Sequence, residues 1–149
     1  MKFSIRDANV KDIEQLQFIR GAVQQNILSN PELITYEDYE AFISQIGKGW
    51  VAFTGKTILG FAIADMQKDN VWALFVHPRY ENKSIGKKLH HTMLNAYFNS
   101  GKQKIWLSTE PGTRAEIFYN KQGWKCTGKL TNGEIRFEMT ADEWRSQSN

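Results

Sequence analysis

The chain has 149 residues, the length of one domain, and its 41% hydrophobic and 13% aromatic content is ample for a packed core. Its net charge of +3 comes from Lys and Asp/Glu interleaved without a block of like sign, so nucleic-acid binding is not demanded. One cysteine excludes an intramolecular disulfide and argues nothing for zinc, and no apolar run approaches the roughly 20 residues that span a bilayer.

Residues 1–7 alternate like a strand instead of forming the apolar stretch of a signal peptide. The expected compartment is therefore the cytoplasm, where a reduced thiol belongs. Asn9, with Asp12 three residues on, reads as an N-terminal cap opening a helix that carries Ile13, Leu16, Ile19 and Ile27. A second helix follows Thr35, with Tyr36, Tyr39, Phe42, Ile43 and Ile46 as an aromatic-rich stripe. Gly47 and Gly49 are expected to stop it, with a strand resuming over 50–54. Gly55-Lys56 reads as a hairpin turn, and strands over 58–66 and 71–76 come next.

The run from Val76 to Leu89, V-H-P-R-Y-E-N-K-S-I-G-K-K-L, passes from an apolar strand through a lysine-bearing loop into a helix. Ile85, Leu89, Met93, Leu94, Tyr97 and Phe98 recur at helical spacing, while Lys87, Lys88, His91 and Asn95 take other faces and His90 and His91 are expected at the helix surface. Such a junction aims unpaired backbone N–H groups and the positive end of a helix at the loop, which favours an anion there. From 79 to 88, Arg79, Lys83, Lys87 and Lys88 stand against Glu81, four cations and one anion, an excess of +3. Lys83, Lys87 and Lys88 are expected to add mobile positive charge. Gly86 lets a ligand approach the backbone, whereas Ser84 is not expected to take the positive φ that glycine tolerates. This stretch alone fits an ordinary strand-to-helix turn about as well as a phosphate cradle.

After the helix, which ends near Ser100-Gly101, a strand over 104–109 leads to P-G-T-R-A-E-I-F-Y-N-K-Q-G-W at 111–124, with a short helix over 115–121. A closing pair over 125–130 and 134–139 turns at Asn132-Gly133. Consecutive strands followed by alternation with helices argue for a mixed α/β sheet covered on both faces. Cys126, in a late strand after Gly123-Trp124, reads as a buried free thiol and not as a nucleophile.

V-H-P-x-Y…I-G-K-x-L, followed one helix and one strand later by A-x-x-F-Y-x-K-x-G-W, resembles motifs A and B of the GCN5-related N-acetyltransferases (GNAT), which use acetyl-CoA. The likeness runs over 3–139, so 1–149 is expected to be one such domain. Glu81, Asn82 and Ser84 depart from the usual motif A, in which Arg or Gln opens the loop and a glycine stands at position 84. The resemblance implies a central, mostly antiparallel sheet of about seven strands, splayed between strands 4 and 5, with four helices and the cofactor entering that opening.

It also implies acetyl transfer from the thioester to a primary amine by direct attack, the acceptor being a small molecule or a peptide. Phe75, Val76, Asn82, Lys83, Ser84, Ile85, Gly86, Lys87 and Lys88 would hold acetyl-CoA, with no metal. A backbone N–H at the end of the strand over 71–76 would serve the carbonyl oxygen. Tyr119 would donate a proton to the departing sulfur, Phe118 acting as the apolar anchor beside it. Glu110, His77, Asp65 and Asp69 are positioned as general-base candidates, although each reads more readily as a surface or turn residue. Tyr36, Tyr39, Phe42, Trp50 and Trp72 would wall the acceptor pocket or pack in the core. Homodimers are common among similar proteins; neither nucleic acid nor membrane is implied. A CoA-binding sensor and an inactive interaction module on the same fold are the other readings.

Overall fold

A computed structural model describes residues 2–23, 34–81 and 83–147, so Ile27 and Asn82 lie outside the described residues. The chain divides into two compact units, Met1–Ala96 and Tyr97–Asn149.

In the first unit, β1 (Ser4–Asp7), β2 (Gly47–Thr54), β3 (Thr57–Asp65) and β4 (Asn70–Val76) form an antiparallel meander in that order. Between β1 and β2 come α1 (Ile13–Ala22) and α2 (Tyr36–Ser44). Every residue of β3 after Thr57 is buried, which is why Ile58 to Ala64 is continuously apolar or small instead of alternating. Ile13, Leu16 and Ile19 of α1 and Tyr39 of α2 pack on Val51, Phe61, Ile63 and Ala73 of the sheet.

Local chemistry sets both helix starts. Asn9 accepts from the Lys11 N–H while its own N–H donates to Asp12, and Arg6 forks onto the same carboxylate at 2.8 and 2.9 Å. Burial alone would raise the Asp12 carboxyl, but the Arg6 and Asn9 donors hold it below its ordinary value. Thr35 and Asp38 form the same reciprocal cap on α2.

Helix α2 ends at Ser44, ahead of Gly47 and Gly49, but the strand begins at Gly47 and not at residue 50, and both glycines belong to β2, opposite Asp65 and Ile63. A Cβ at Gly47 would collide with the Ala64 carbonyl oxygen, so close backbone approach is what glycine supplies here. One extra residue, Trp72, interrupts the β3–β4 register between the pairs Ile63–Ala73 and Ala64–Val71.

Helix α3 (Ile85–Asn99) buries Ile85, Leu89, Met93, Leu94, Tyr97 and Phe98 as expected, but it also buries His90, which the sequence reading left at the surface. Positions 85, 89, 93 and 97 make one row and 90, 94 and 98 the next, so His90 shares the buried stripe. Burial, with His91 adding, pulls its imidazole down to about 3.

The second unit contains β5 (Lys104–Thr109), α4 (Arg114–Lys121), β6 (Lys125–Lys129), β7 (Ile135–Thr140) and α5 (Ala141–Gln147). β7 pairs antiparallel with both β5 and β6. β6 is exposed along its length, so Cys126 is exposed and not buried. The described residues thus hold seven strands and five α-helices, one helix more than expected. That extra helix, α5, opens on a Thr140–Glu143 capping box, each backbone N–H bonded by the other residue's side chain.

Candidate functional site

The last residues of β4 present two different faces. Phe75 points to the α1 side, its ring 5.8 Å from that of Phe61 and beneath the Arg20 guanidinium at 4.7 Å. Val76 points the other way, with Cγ2 3.5 Å from where a Cβ on Gly86 would stand. The His77 N–H donates to the Leu59 carbonyl at 2.8 Å, and Phe75 lies opposite Phe61. Because antiparallel pairs alternate, the N–H groups of Leu74 and Val76 therefore point away from β3.

A short 3-10 turn, Pro78–Tyr80, leads into the loop, and His77 caps it by accepting the Arg79 N–H on Nδ1 at 3.1 Å. Ser84 then takes φ +66°, contrary to the expectation that it could not. It stands in the left-handed conformation that glycine would adopt more cheaply, and the chain needs that bend to enter the helix. The Lys88 N–H donates to the Ser84 carbonyl at 3.1 Å, closing the first helical turn. The amides of Ile85, Gly86 and Lys87 precede that bond and have no intrahelical acceptor.

Buried Ile85 pins this turn, while Lys83 and Lys87 are exposed beside it. Lys88 is exposed as well, with its ammonium 5.1 Å above the Phe3 ring. Gly60 brings α3 close to the sheet, since a Cβ there would meet the Phe75 carbonyl at 2.8 Å and Leu89 Cδ1 at 3.2 Å. At Gly86 the opposite holds. A Cβ there makes only the ordinary contact with Val76, so no protein neighbour requires glycine in this first turn. That open face suits a ligand approaching the amides, and the donor set of N–H groups and ammoniums suits phosphate.

In the second unit, Thr113 caps α4 by accepting the Glu116 N–H, and the Glu116 carboxylate returns to the Gly112 N–H at 2.7 Å. Tyr119, one turn on, is 7% exposed, with ring centroids 5.3 Å from Phe118, 5.6 Å from Trp124 and 6.4 Å from Phe137. The expected division of labour is reversed, for Tyr119 is the buried anchor and Phe118 is only half-buried. Its burial pushes the phenol well above the ordinary tyrosine range. Phe75, Val76 and Lys83 to Lys88 thus meet at one strand–turn–helix junction of the first unit, whereas Tyr119 belongs to the second.

Two of the general-base candidates, Asp65 and His77, have side chains with structural duties. Asp65 accepts the N–H groups of Gln67 and Lys68, both at 2.9 Å, and Asp69 takes φ +60° in the same turn. His77 spends Nδ1 on the Arg79 amide. Glu110, half-buried at the end of β5, offers its backbone carbonyl to the Thr113 hydroxyl. Of the aromatic set, Tyr39 and Trp50 are core, Trp72 stacks on Phe42 at 4.2 Å, and Tyr36 is exposed. Arg20, which no sequence pattern singles out, gains interest only from the tertiary fold that lays it on Phe75.

A family model described as "Acetyltransferase (GNAT) family" matches residues 10–124. An uncharacterized N-acetyltransferase, ycf52-like, of Prochlorococcus marinus is 29% identical over 75 residues, which cover 48% of this chain and 41% of that protein. The match therefore spans less than half of that relative's length. The PaiA N-acetyltransferase of Thermoplasma acidophilum, solved in complex with coenzyme A, superposes with a TM-score of 0.83 at 19% identity, over 94% of this chain and 99% of that one. The ribosomal-protein-S18-alanine N-acetyltransferase of Escherichia coli gives 0.76 at 15% identity, over 93% and 94%.

Proposed function

This chain belongs to the GNAT acetyltransferase family, and from that premise we propose that it transfers the acetyl group of acetyl-CoA to an amine by direct attack on the thioester. The observation that carries this reading is the α3 entrance: left-handed Ser84, three amides without helical acceptors, exposed Lys83 and Lys87, and an open face at Gly86. Those amides and the two ammoniums would hold the phosphates. Ser84 takes the left-handed conformation open to the glycine usual at this position, so the loop keeps that bend without it.

When bound, acetyl-CoA supplies the acyl carbon and the thiol leaving group. The amine nitrogen forms the new C–N bond, the C–S bond breaks, and the amine proton leaves to solvent, the Asp65 carboxylate and His77 Nδ1 being held by backbone amides. The Val76 N–H, aimed away from β3, is the proposed donor to the carbonyl oxygen, where negative charge builds. Tyr119 is the proposed partner of the departing sulfur. Burial keeps its hydroxyl protonated at neutral pH. Complete transfer to a thiolate whose conjugate acid lies near about 8.5 would be uphill, so its role is hydrogen-bond donation as the C–S bond breaks.

The acceptor is a small-molecule or peptide amine, and the cytoplasm is the setting consistent with one unpaired cysteine. Among the described residues, no helix is long and apolar enough to cross a membrane. Free thiol should appear when acetyl-CoA and a panel of amines are supplied together. Tyr119→Phe should slow that release about 100-fold with acetyl-CoA affinity and Tm nearly unchanged. Wild-type protein that binds acetyl-CoA yet releases no thiol with any amine would leave a CoA-binding sensor; an unimpaired Tyr119→Phe would remove the tyrosine from the mechanism.

A further inference from the structure

Phe75 of β4 and His77, the residue just past its end, lie two apart on the same face, and α1 lays one side chain on each. Phe18 stacks on the His77 ring at 5.6 Å and 17° while remaining 68% exposed, and the Arg20 guanidinium covers the Phe75 ring at 4.7 Å. Arg6 and Arg136 each meet a carboxylate, at Asp12 and Glu138. Arg20 is half-buried and meets none among the described residues; the groups it addresses there are aromatic, Phe75 below and Tyr39 beside it. Burial pulls its guanidinium below the ordinary arginine value, with Tyr39 opposing, so the charge is held at a cost. A half-desolvated cation on an aromatic plate, flanked by the exposed Phe18 ring, is a receptor for a planar anion.

We propose that Arg20 binds a carboxylate of the acceptor, so that the amine acetylated here belongs to the amino-acid or peptide class and not to the polyamines. This rests on the transferase reading above. Phe75 immediately precedes Val76, whose N–H is the proposed donor to the thioester carbonyl, so an acceptor held by its carboxylate at Arg20 would bring its amine to that end of β4. A neighbouring guanidinium also disfavours the ammonium form of the acceptor, which raises the fraction of neutral nucleophile.

The test uses matched pairs that differ in the carboxylate: phenylalanine and phenethylamine, 6-aminohexanoate and hexylamine, Ala-Phe and its C-terminal amide. Binding of each to the CoA-loaded protein is measured by calorimetry, alongside thiol release from acetyl-CoA. At least one carboxylate-bearing member should bind tenfold or more tighter than its partner. Arg20→Gln should bring that pair to within twofold while CoA affinity stays unchanged, and Arg20→Lys should keep part of the preference and guards against a folding defect. Equal binding within every pair, no binding of any carboxylate member, or a preference that survives Arg20→Gln would overturn the proposal. Absence of thiol release with every amine would count against the transferase reading alone, because the binding comparison is independent of turnover.

Discussion

Ser84 is the position where one side chain costs the loop most visibly. A left-handed conformation is disfavoured by roughly 1–2 kcal/mol for an L-residue with a Cβ, and Ser84 adopts it at φ +66°. Ser84→Gly removes that penalty and returns part of it as entropy of the unfolded chain. The net expectation is a stabilisation of about 1 kcal/mol, a Tm rise of about 3 °C, whereas Ser84→Val should lower Tm. Thermal unfolding of the two variants decides it; a fall in Tm for the glycine variant would mean the serine hydroxyl contributes something the backbone argument lacks. Tyr119 teaches a related lesson, because side-chain type alone assigned the anchoring role to Phe118 when the fold buries its neighbour.

The first turn of α3 contains an avoidable weakness. Glycine inside a helix costs up to about 1 kcal/mol relative to alanine, and Gly86 is offset by no packing need, since a Cβ there meets only Val76 at 3.5 Å. Gly86→Ala should therefore leave Tm equal or higher while weakening acetyl-CoA binding about tenfold or more, a loss of about 1.4 kcal/mol. Calorimetry beside a melting curve separates the two effects. Unchanged affinity would show that the ligand does not approach this turn. Gly60 is the internal contrast: its Cβ would strike the Phe75 carbonyl, so alanine there should damage the fold itself.

For the folded chain as a single equilibrium, His90 is the group that ties stability to pH. Its buried imidazole titrates at about 3 when folded, against about 6.5 unfolded. The unfolded state therefore binds the extra proton first. Stability from this residue is complete above about pH 6.5, declines as pH falls below that value, and levels off only beneath the folded value. Between pH 7 and pH 5 the loss should be about 2 kcal/mol. Urea unfolding across that interval should show the slope, and His90→Gln should flatten it; an unchanged slope in the variant would assign the proton uptake to other groups.

Local signals were enough for most of the elements. The Asn9–Asp12 and Thr35–Asp38 caps, the Gly55 and Asn132-Gly133 turns and the apolar rows of α3 act through neighbours a few residues away, and each can be read along the chain. The Thr140–Glu143 box that opens α5 is equally local and was available to the same reading. The strand–loop–helix order that carries the family likeness belongs to this class, apart from the φ of Ser84. Exposure does not. His90 is buried, Cys126 is exposed, Phe118 is half-buried, the Lys88 ammonium lies over Phe3, and Arg20 became interesting only when α1 folded onto β4. Hydrogen-bonded caps and turns are short-range and nearly independent of the rest of the molecule. Burial of a side chain depends on which distant surface arrives to cover it, and that is a property of the assembled core.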